Sequence, residues 1–141
     1  MSVALAVRKR SGDSFVLLVR RPESDDEFPG MWGLPAASCR EGEGVMEAAK
    51  RIAVQKLGTS VELGRTLGTG SQERESYVLK MNLLEAHLEN SVDDITLPSG
   101  SGHVASSVTM YTDFRWGLAS ELNDSVAGGS LCSQLLLRSD L

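Results

Sequence analysis

The clearest hydrophobic pattern in the chain lies over residues 44–57, where apolar side chains recur every three or four positions. The apolar positions are Val45, Met46, Ala49, Ile52, Ala53 and Leu57. Polar residues, Glu47, Lys50 and Arg51, take the opposite side, and Gly58 follows the last apolar residue. This spacing is typical of an amphipathic helix with one buried face, and a glycine directly after it is a common C-terminal stop. The pattern predicts a helix over 44–57.

Shorter apolar stretches on both sides of this helix predict β-strands. Residues 2–7 and 14–20 form two such stretches, and the polar sequence Arg-Ser-Gly-Asp between them predicts a hairpin turn. Two further strands are predicted over 60–67 and 76–88, on either side of a Gly-Thr-Gly-Ser turn that begins at Gly68.

The C-terminal part of the chain adds a last strand over 108–116 and two helices, over 117–122 and 130–137. The resulting order is β, β, helix, β, β, β, helix. It indicates an α/β protein, an α/β/α sandwich around a mixed β-sheet, formed by a single domain over residues 1–141. The length of 141 residues, with 41% apolar and 23% charged residues, agrees with one soluble globular core.

The charge balance disfavours nucleic acid polymers as partners. The chain has 14 Lys and Arg against 19 Asp and Glu, which gives a net charge of −5, and an acidic protein repels the phosphate backbone. A nucleotide-like small molecule is still compatible with this charge, because a local positive pocket can exist on an acidic protein. The candidates for such a pocket are Arg8, Lys9, Arg10, Arg20 and Arg21.

Hydrophobic length and cysteine usage indicate a cytoplasmic protein. No apolar stretch reaches the roughly 18 residues that a membrane-spanning helix needs, so we expect no membrane association. The apolar start over 1–7 is too short for a secretory signal. We expect Cys39 and Cys132 to be free thiols, since they are far apart in sequence and in a non-secreted context.

A pattern with recognisable chemistry begins at Ala37. Glu43 precedes Arg51 by eight positions, and Gly58 ends the predicted helix. This layout resembles the Nudix box of the nucleotide-pyrophosphohydrolase superfamily, which runs Gly, five residues, Glu, seven residues, then Arg-Glu-apolar-x-Glu-Glu-x-Gly-apolar. The segment 28–35, Phe-Pro-Gly-Met-Trp-Gly-Leu-Pro, is also similar to the stretch that leads into the box in many relatives. The chain is identified as a MutT-like member of the Nudix superfamily, and the resemblance implies the Nudix fold.

The box is degenerate at the positions that carry its metal chemistry. Ala37 replaces the opening glycine, and the three helix glutamates are replaced by Ile52, Gln55 and Lys56. At about 100° per residue, positions 52, 55 and 56 project into one arc about 100° wide, where three carboxylates would converge on a hard divalent ion. Ile52 offers no ligand, Gln55 offers one neutral oxygen, and Lys56 brings a positive charge. We therefore expect no family-type Mg²⁺ site on this helix.

The resemblance nevertheless implies a set of site residues. The candidate catalytic residues are Glu43, Arg51 and Gln55. The candidate substrate-binding residues are Trp32, Lys56 and Arg20. If hydrolysis is retained, the candidate ligands for Mg²⁺ or Mn²⁺ are Glu43 and Glu47, and a protein that no longer hydrolyses needs no metal cofactor.

Two of these residues have a second interpretation. Glu43 and Arg51 can form an ion pair that ties the loop to the helix without a catalytic role. Lys56 is either a solvated helix residue or a built-in replacement for the charge of a metal ion.

Two functions of different classes are open from the sequence. The first is a hydrolase of nucleoside diphosphates linked to another moiety, with weak or lost Mg²⁺-dependent activity. The second is a catalytically inactive module on the Nudix fold that binds a nucleotide-like ligand or a protein. Loops 22–31 and 89–107 are expected to form the substrate pocket, with His103 as an exposed loop residue. The sequence also leaves open whether the chain forms a homodimer, which is common in the superfamily.

Overall fold

The fold was examined in a computed structural model, which describes residues 1–10, 13–25, 28–89, 95, 97 and 111–139. The strands are β1 Ser2–Arg8, β2 Val16–Arg20, β3 Trp32–Gly33, β4 Ala36–Ser38, β5 Val61–Glu73, β6 Val78–Leu88 and β7 Asp113–Gly117. The helices are α1 Val45–Leu57, α2 Asn123–Ala127 and α3 Leu131–Ser139, with a 3-10 helix over Ala119–Leu122.

The strands form two sheets. A four-stranded mixed sheet has the order β4-β1-β6-β5, in which β1 runs parallel to β6 and the other neighbours are antiparallel. A smaller antiparallel sheet has the order β3-β2-β7. β4 is therefore an edge strand, and its second edge is open to side chains from elsewhere in the molecule.

Strand β1 is buried on both faces, which explains its unbroken run of apolar residues. Val3, Leu5 and Val7 pack into the same core cluster as the buried side of α1, whereas Ala4 and Ala6 pack into the cluster that contains α3. Because successive side chains of a strand point to opposite faces, the two helices cover opposite sides of the sheet. The predicted α/β/α sandwich around a mixed sheet is confirmed.

The predicted hairpin between the first two strands is wrong. β1 pairs with β6 along its whole length and with β4 over Ser2–Ala4, and it forms no ladder with β2. β2 instead pairs with β3 and β7 in the smaller sheet. The polar segment between β1 and β2 connects two sheets rather than two neighbouring strands.

The predicted turn at Gly68 is also wrong. β5 continues to Glu73 and pairs with β6 throughout, with register shifts between Leu63 and Gly68. The reversal occurs at 74–77, where the Arg74 amide donates to the Tyr77 carbonyl at 2.8 Å. Close packing against α3 explains the glycines, because a Cβ on Gly70 would lie 3.3 Å from a methyl carbon of Leu135.

The C-terminal predictions hold in part. The helix predicted over 130–137 is α3, but the one predicted over 117–122 is a 3-10 helix that begins at Ala119 after β7. β7 occupies the second half of the strand predicted over 108–116, and residues 108–110 lie outside the described residues. Most of the loop 89–107, including His103, also lies outside them. None of the described helices is long and apolar enough to span a membrane.

Candidate functional site

The open edge of β4 is covered by polar side chains from α1 and from Tyr111. The Lys56 ammonium donates to the carbonyl of Ala36, and Arg51 Nη2 donates to the carbonyl of Ser38 at 2.9 Å. The Tyr111 hydroxyl accepts from the Ala36 amide at 2.9 Å and donates to the Ala36 carbonyl at 3.2 Å. These contacts satisfy an edge that would otherwise present unpaired backbone groups, and they fix α1 beside β4.

Glu43 and Arg51 form a bidentate ion pair between the loop after β4 and helix α1. Arg51 Nε donates to Glu43 Oε2 at 2.9 Å, and Arg51 Nη2 donates to Glu43 Oε1 at 3.0 Å. The Arg40 amide adds a third bond to Glu43, at 2.9 Å. The hydrogen bonds from Arg51 and then Arg40 lower the pKa of Glu43 to about 2. The pair thus ties the loop to the helix, and Glu43 is fully ionised at neutral pH.

Lys56 is a buried lysine, not a solvated one. Its relative exposure is 5%, and its ammonium lies 5.2 Å from the ring centroid of Tyr111. Burial, and to a smaller extent the positive charges of Arg21 and Arg51, lowers the pKa of Lys56 to about 8. Lys56 is therefore still mostly protonated at neutral pH, although burial and the neighbouring cations disfavour its charged form.

These side chains border a cavity of about 520 Å³. Its cationic lining residues are Arg21, Arg40, Arg51, Lys56 and Arg74. The other lining residues are Ser2, Phe28, Ala36, Ala37, Ser38, Cys39, Tyr77, Leu79, Met81, Ser130, Leu131 and Cys132. None of the described residues that line the cavity is Asp or Glu. The described lining therefore carries more basic than acidic side chains, although Arg51 is paired with Glu43 and Arg21 with Asp25 at 3.0 Å behind it.

Of the candidate site residues, Arg51 and Lys56 line this cavity. Trp32 and Arg20 do not line it. Arg20 donates to the Gly30 carbonyl at 3.1 Å, and the Trp32 ring lies 4.5 Å from the guanidinium carbon of Arg115. Trp32 contributes instead to a much smaller adjoining pocket.

The remaining candidates lie along α1 or at its start. Gln55 is exposed, and its side-chain oxygen is 3.5 Å from Arg40 Nη2. Glu47 is exposed in the first turn of the helix, away from the cavity lining. Glu43 itself lies behind Arg51 and is not a lining residue.

Three lining cations and two aromatic residues were not singled out as binding residues by the box pattern. Arg21 directly follows β2, Arg40 lies two residues after β4, and Arg74 directly follows β5. A basic residue just beyond a strand end is the signal that they share. Only Arg21 belonged to the candidate positive pocket from the sequence. Phe28 lies in the loop 22–31 that was expected to contribute to the pocket, whereas Tyr77 carries no comparable signal.

The residues at the metal positions of the box do not match what Mg²⁺ requires. Ile52 is fully buried in the core, Gln55 faces outward, and Lys56 places an ammonium against the Ala36 carbonyl. Magnesium favours several oxygen ligands in octahedral geometry, most often including carboxylates. In the described part of the chain, no group of three or more His, Cys, Asp or Glu is arranged to hold a metal ion. The donor set at these three box positions therefore does not fit a Nudix-type metal centre.

Comparison with known proteins agrees with the box resemblance. The model of the NUDIX domain matches residues 1–103, most of the chain. The comparison with curated proteins found no match.

Solved structures of low sequence identity share the fold. The MutT protein from Methanosarcina mazei Go1 is similar with a TM-score of 0.71 at 19% identity, over 99% of this chain and 91% of that one. The binary complex of a C. elegans Ap4A hydrolase gives 0.69 at 19% identity, over 98% and 92%. The E. coli dihydroneopterin triphosphate pyrophosphohydrolase gives 0.66 at 15% identity, over 94% and 91%. With the family match over residues 1–103, the chain belongs to the Nudix domain family.

Proposed function

We propose that this Nudix domain binds a nucleotide-like small molecule through its phosphate groups, and that Mg²⁺-dependent pyrophosphohydrolase activity is weak or lost. The observation that carries the proposal is the cavity of about 520 Å³, with five cationic side chains and no carboxylate among its described lining residues. Guanidinium and ammonium groups bind phosphate oxygens through charge-assisted hydrogen bonds. A lining of this kind favours a ligand with several negative charges.

Aromatic side chains at the cavity support a ligand that also carries a ring. Phe28 lies with its centroid 5.3 Å from the guanidinium carbon of Arg21 and 5.8 Å from that of Arg74. Tyr77, which lines the same cavity, is 50% exposed. Aromatic and guanidinium planes stack on nucleobases with little sequence preference. The names of the similar Ap4A hydrolase and dihydroneopterin triphosphate pyrophosphohydrolase indicate substrates with polyphosphate groups for those proteins, which supports a phosphate-bearing ligand here.

The state of Glu43 supports the loss of hydrolysis. A general base works best when its pKa lies near the working pH. Both oxygens of Glu43 accept hydrogen bonds from Arg51, and its pKa is about 2. Gln55 is a neutral amide and cannot accept a proton at neutral pH. The two box residues that could activate water are therefore poorly suited to it.

A turnover assay tests the enzymatic half of the proposal. The purified full chain is incubated with a panel of nucleoside diphosphate derivatives and Mg²⁺ or Mn²⁺, and phosphate-containing products are measured. We expect little or no turnover above the rate without protein. Rapid turnover that is lost in Glu43→Gln would instead establish an efficient hydrolase and contradict this part of the proposal.

Thermal unfolding tests the binding half. A ligand that binds only the folded state raises the midpoint of unfolding. We expect ADP to raise the midpoint of the wild type and to raise it less in Arg40→Gln, because Arg40 lines the cavity and is exposed. The matched control is Lys50→Gln, since Lys50 is an exposed cation outside the cavity lining. Equal shifts in the two variants, or no shift with any panel compound, would contradict binding at this cavity.

A further inference from the structure

The box position that should hold the third glutamate holds the most deeply buried cation of the cavity. Lys56 is 5% exposed, and its ammonium contacts the carbonyl oxygen of Ala36. A backbone carbonyl is one of the hard oxygens that divalent ions also use. In this protein that oxygen is already bonded to a positive group.

The surroundings of Lys56 fix its ammonium in place. One of its three donors is used by Ala36, and its charge faces the ring of Tyr111, whose hydroxyl is bonded to the same residue. Arg51 is held in the same way by Glu43 and by the carbonyl of Ser38. Preorganised cations of this kind can meet a phosphate group without a large loss of side-chain entropy.

A divalent ion in this cavity would meet like charges. Arg40, Arg51 and Lys56 line it, and the carboxylate of Glu43, which pairs with Arg51, is not itself a described lining group. Coulomb repulsion would oppose a metal ion, whereas the same charges attract free phosphate oxygens. A phosphate that already carries Mg²⁺ has less negative charge to offer and brings a cation towards Lys56.

We propose that Lys56 is a built-in cation that replaces the divalent ion of the Nudix site, so that the cavity selects the metal-free form of a polyphosphate ligand. The inference rests on the proposed phosphate-binding function and adds the sign of the effect of Mg²⁺ on ligand binding. Mg²⁺ is then a competitor that withdraws the ligand from the protein, not a cofactor that recruits it.

Calorimetric titration with inorganic pyrophosphate tests this inference. The full chain is titrated in EDTA and again in excess Mg²⁺. We expect binding in EDTA and weaker apparent binding in Mg²⁺. Lys56→Met should lower the affinity in EDTA by roughly tenfold or more, because hydrogen bonds to charged groups are among the strongest in proteins.

Controls separate a direct role of Lys56 from a change in folding. Lys50→Met removes an exposed lysine of the same helix, and its affinity should equal that of the wild type. Arg40→Gln changes an exposed cavity residue, cannot disturb the core, and should also weaken binding. Urea unfolding of each variant shows that the titrated protein is folded.

The outcomes distinguish the inference from the function on which it rests. Binding that requires Mg²⁺ would overturn the inference and leave phosphate binding in place. Equal affinity of Lys56→Met and wild type in EDTA would also overturn it. If pyrophosphate and ADP bind under neither condition, both the inference and the proposed function are wrong.

Discussion

At the scale of single residues, Glu43 and Lys56 show how the surroundings of a charged group decide its pKa. Glu43 accepts three hydrogen bonds from Arg51 and Arg40, and these favour its ionised form. Lys56 loses hydration by burial next to other cations, and this disfavours its ionised form. Both pKa values are lowered, but one change stabilises the charged state and the other penalises it.

The ion pair of Glu43 predicts a specific acid sensitivity of the fold. Because the pKa of Glu43 falls from 4.5 to about 2 on folding, its ionised form stabilises the folded state above pH 4.5. This contribution is lost as the pH falls through about 2. We expect Glu43→Gln to lower the free energy of unfolding at pH 7, and to differ less from the wild type near pH 2.

Urea unfolding at several pH values measures this effect. Glu41→Gln is the matched control, because Glu41 is an exposed residue of the same loop. We expect little change in the stability of that variant at any pH. A constant difference between Glu43→Gln and the wild type from pH 7 to pH 2 would contradict the role of the carboxylate charge.

The lowered pKa of Lys56 predicts a loss of stability at neutral pH that is relieved at alkaline pH. Its pKa is 10.5 in the unfolded reference and about 8 in the folded protein. Folding is therefore penalised by the buried charge below about pH 8, and this penalty disappears as the pH rises to 10.5. The buried charge therefore costs on the order of 3 kcal/mol at pH 7, because one pKa unit corresponds to about 1.4 kcal/mol. We expect Lys56→Met to be more stable than the wild type at pH 7.

The advantage of Lys56→Met should shrink between pH 8 and pH 10.5, which urea unfolding can follow. Lys50→Met is the control, since Lys50 is exposed and its charge needs no burial. A variant that is strongly destabilised at pH 7 would show that the contacts of Lys56 with Ala36 and Tyr111 outweigh its desolvation.

At the scale of elements, helix α1 is the part that local sequence specifies best. The predicted range 44–57 and the observed Val45–Leu57 differ by one residue. Gly58 ends the helix with φ of 62°, and its amide donates to the Ala53 carbonyl. This left-handed conformation is why the stop signal could be found from the sequence, because glycine adopts it without steric cost.

The C-terminal cap of α1 can be tested by Gly58→Ala. A Cβ in the left-handed region costs about 1 kcal/mol, so we expect the free energy of unfolding to fall by about that amount. Gly33→Ala is the control, because a Cβ there meets no atom within 4 Å. Chemical unfolding of both variants measures the difference. Equal stabilities would show that the end of the helix does not depend on this glycine.

The elements that were predicted wrongly depend on distant partners. The pattern of β1 gives its strand character, but its pairing with β4 and β6 depends on residues more than 30 positions away. The cavity is equally non-local, since Arg21, Arg40 and Arg74 come together from three strand ends. Local pattern could find the box and its missing carboxylates. It could not show that the replacement at Lys56 is buried and faces a cluster of cations.

At the scale of the whole molecule, the charge of the cavity lining is opposite in sign to the net charge of the chain. The chain has a net charge of −5, whereas the described lining of the cavity carries five cations and no carboxylate. A cleft lined by one sign of charge focuses the electric field and raises the local concentration of counter-ions. This distribution of charge supports the proposed small anionic ligand.

The most direct measurement is a crystal structure of the full chain grown with both Mn²⁺ and inorganic pyrophosphate, with anomalous diffraction to locate manganese. Phosphate density should lie beside Lys56, Arg51 and Arg40, with no anomalous peak along the segment 43–56. A manganese ion on that segment, with octahedral oxygen ligands and a bound water facing the phosphate, would contradict the replacement of the metal by lysine.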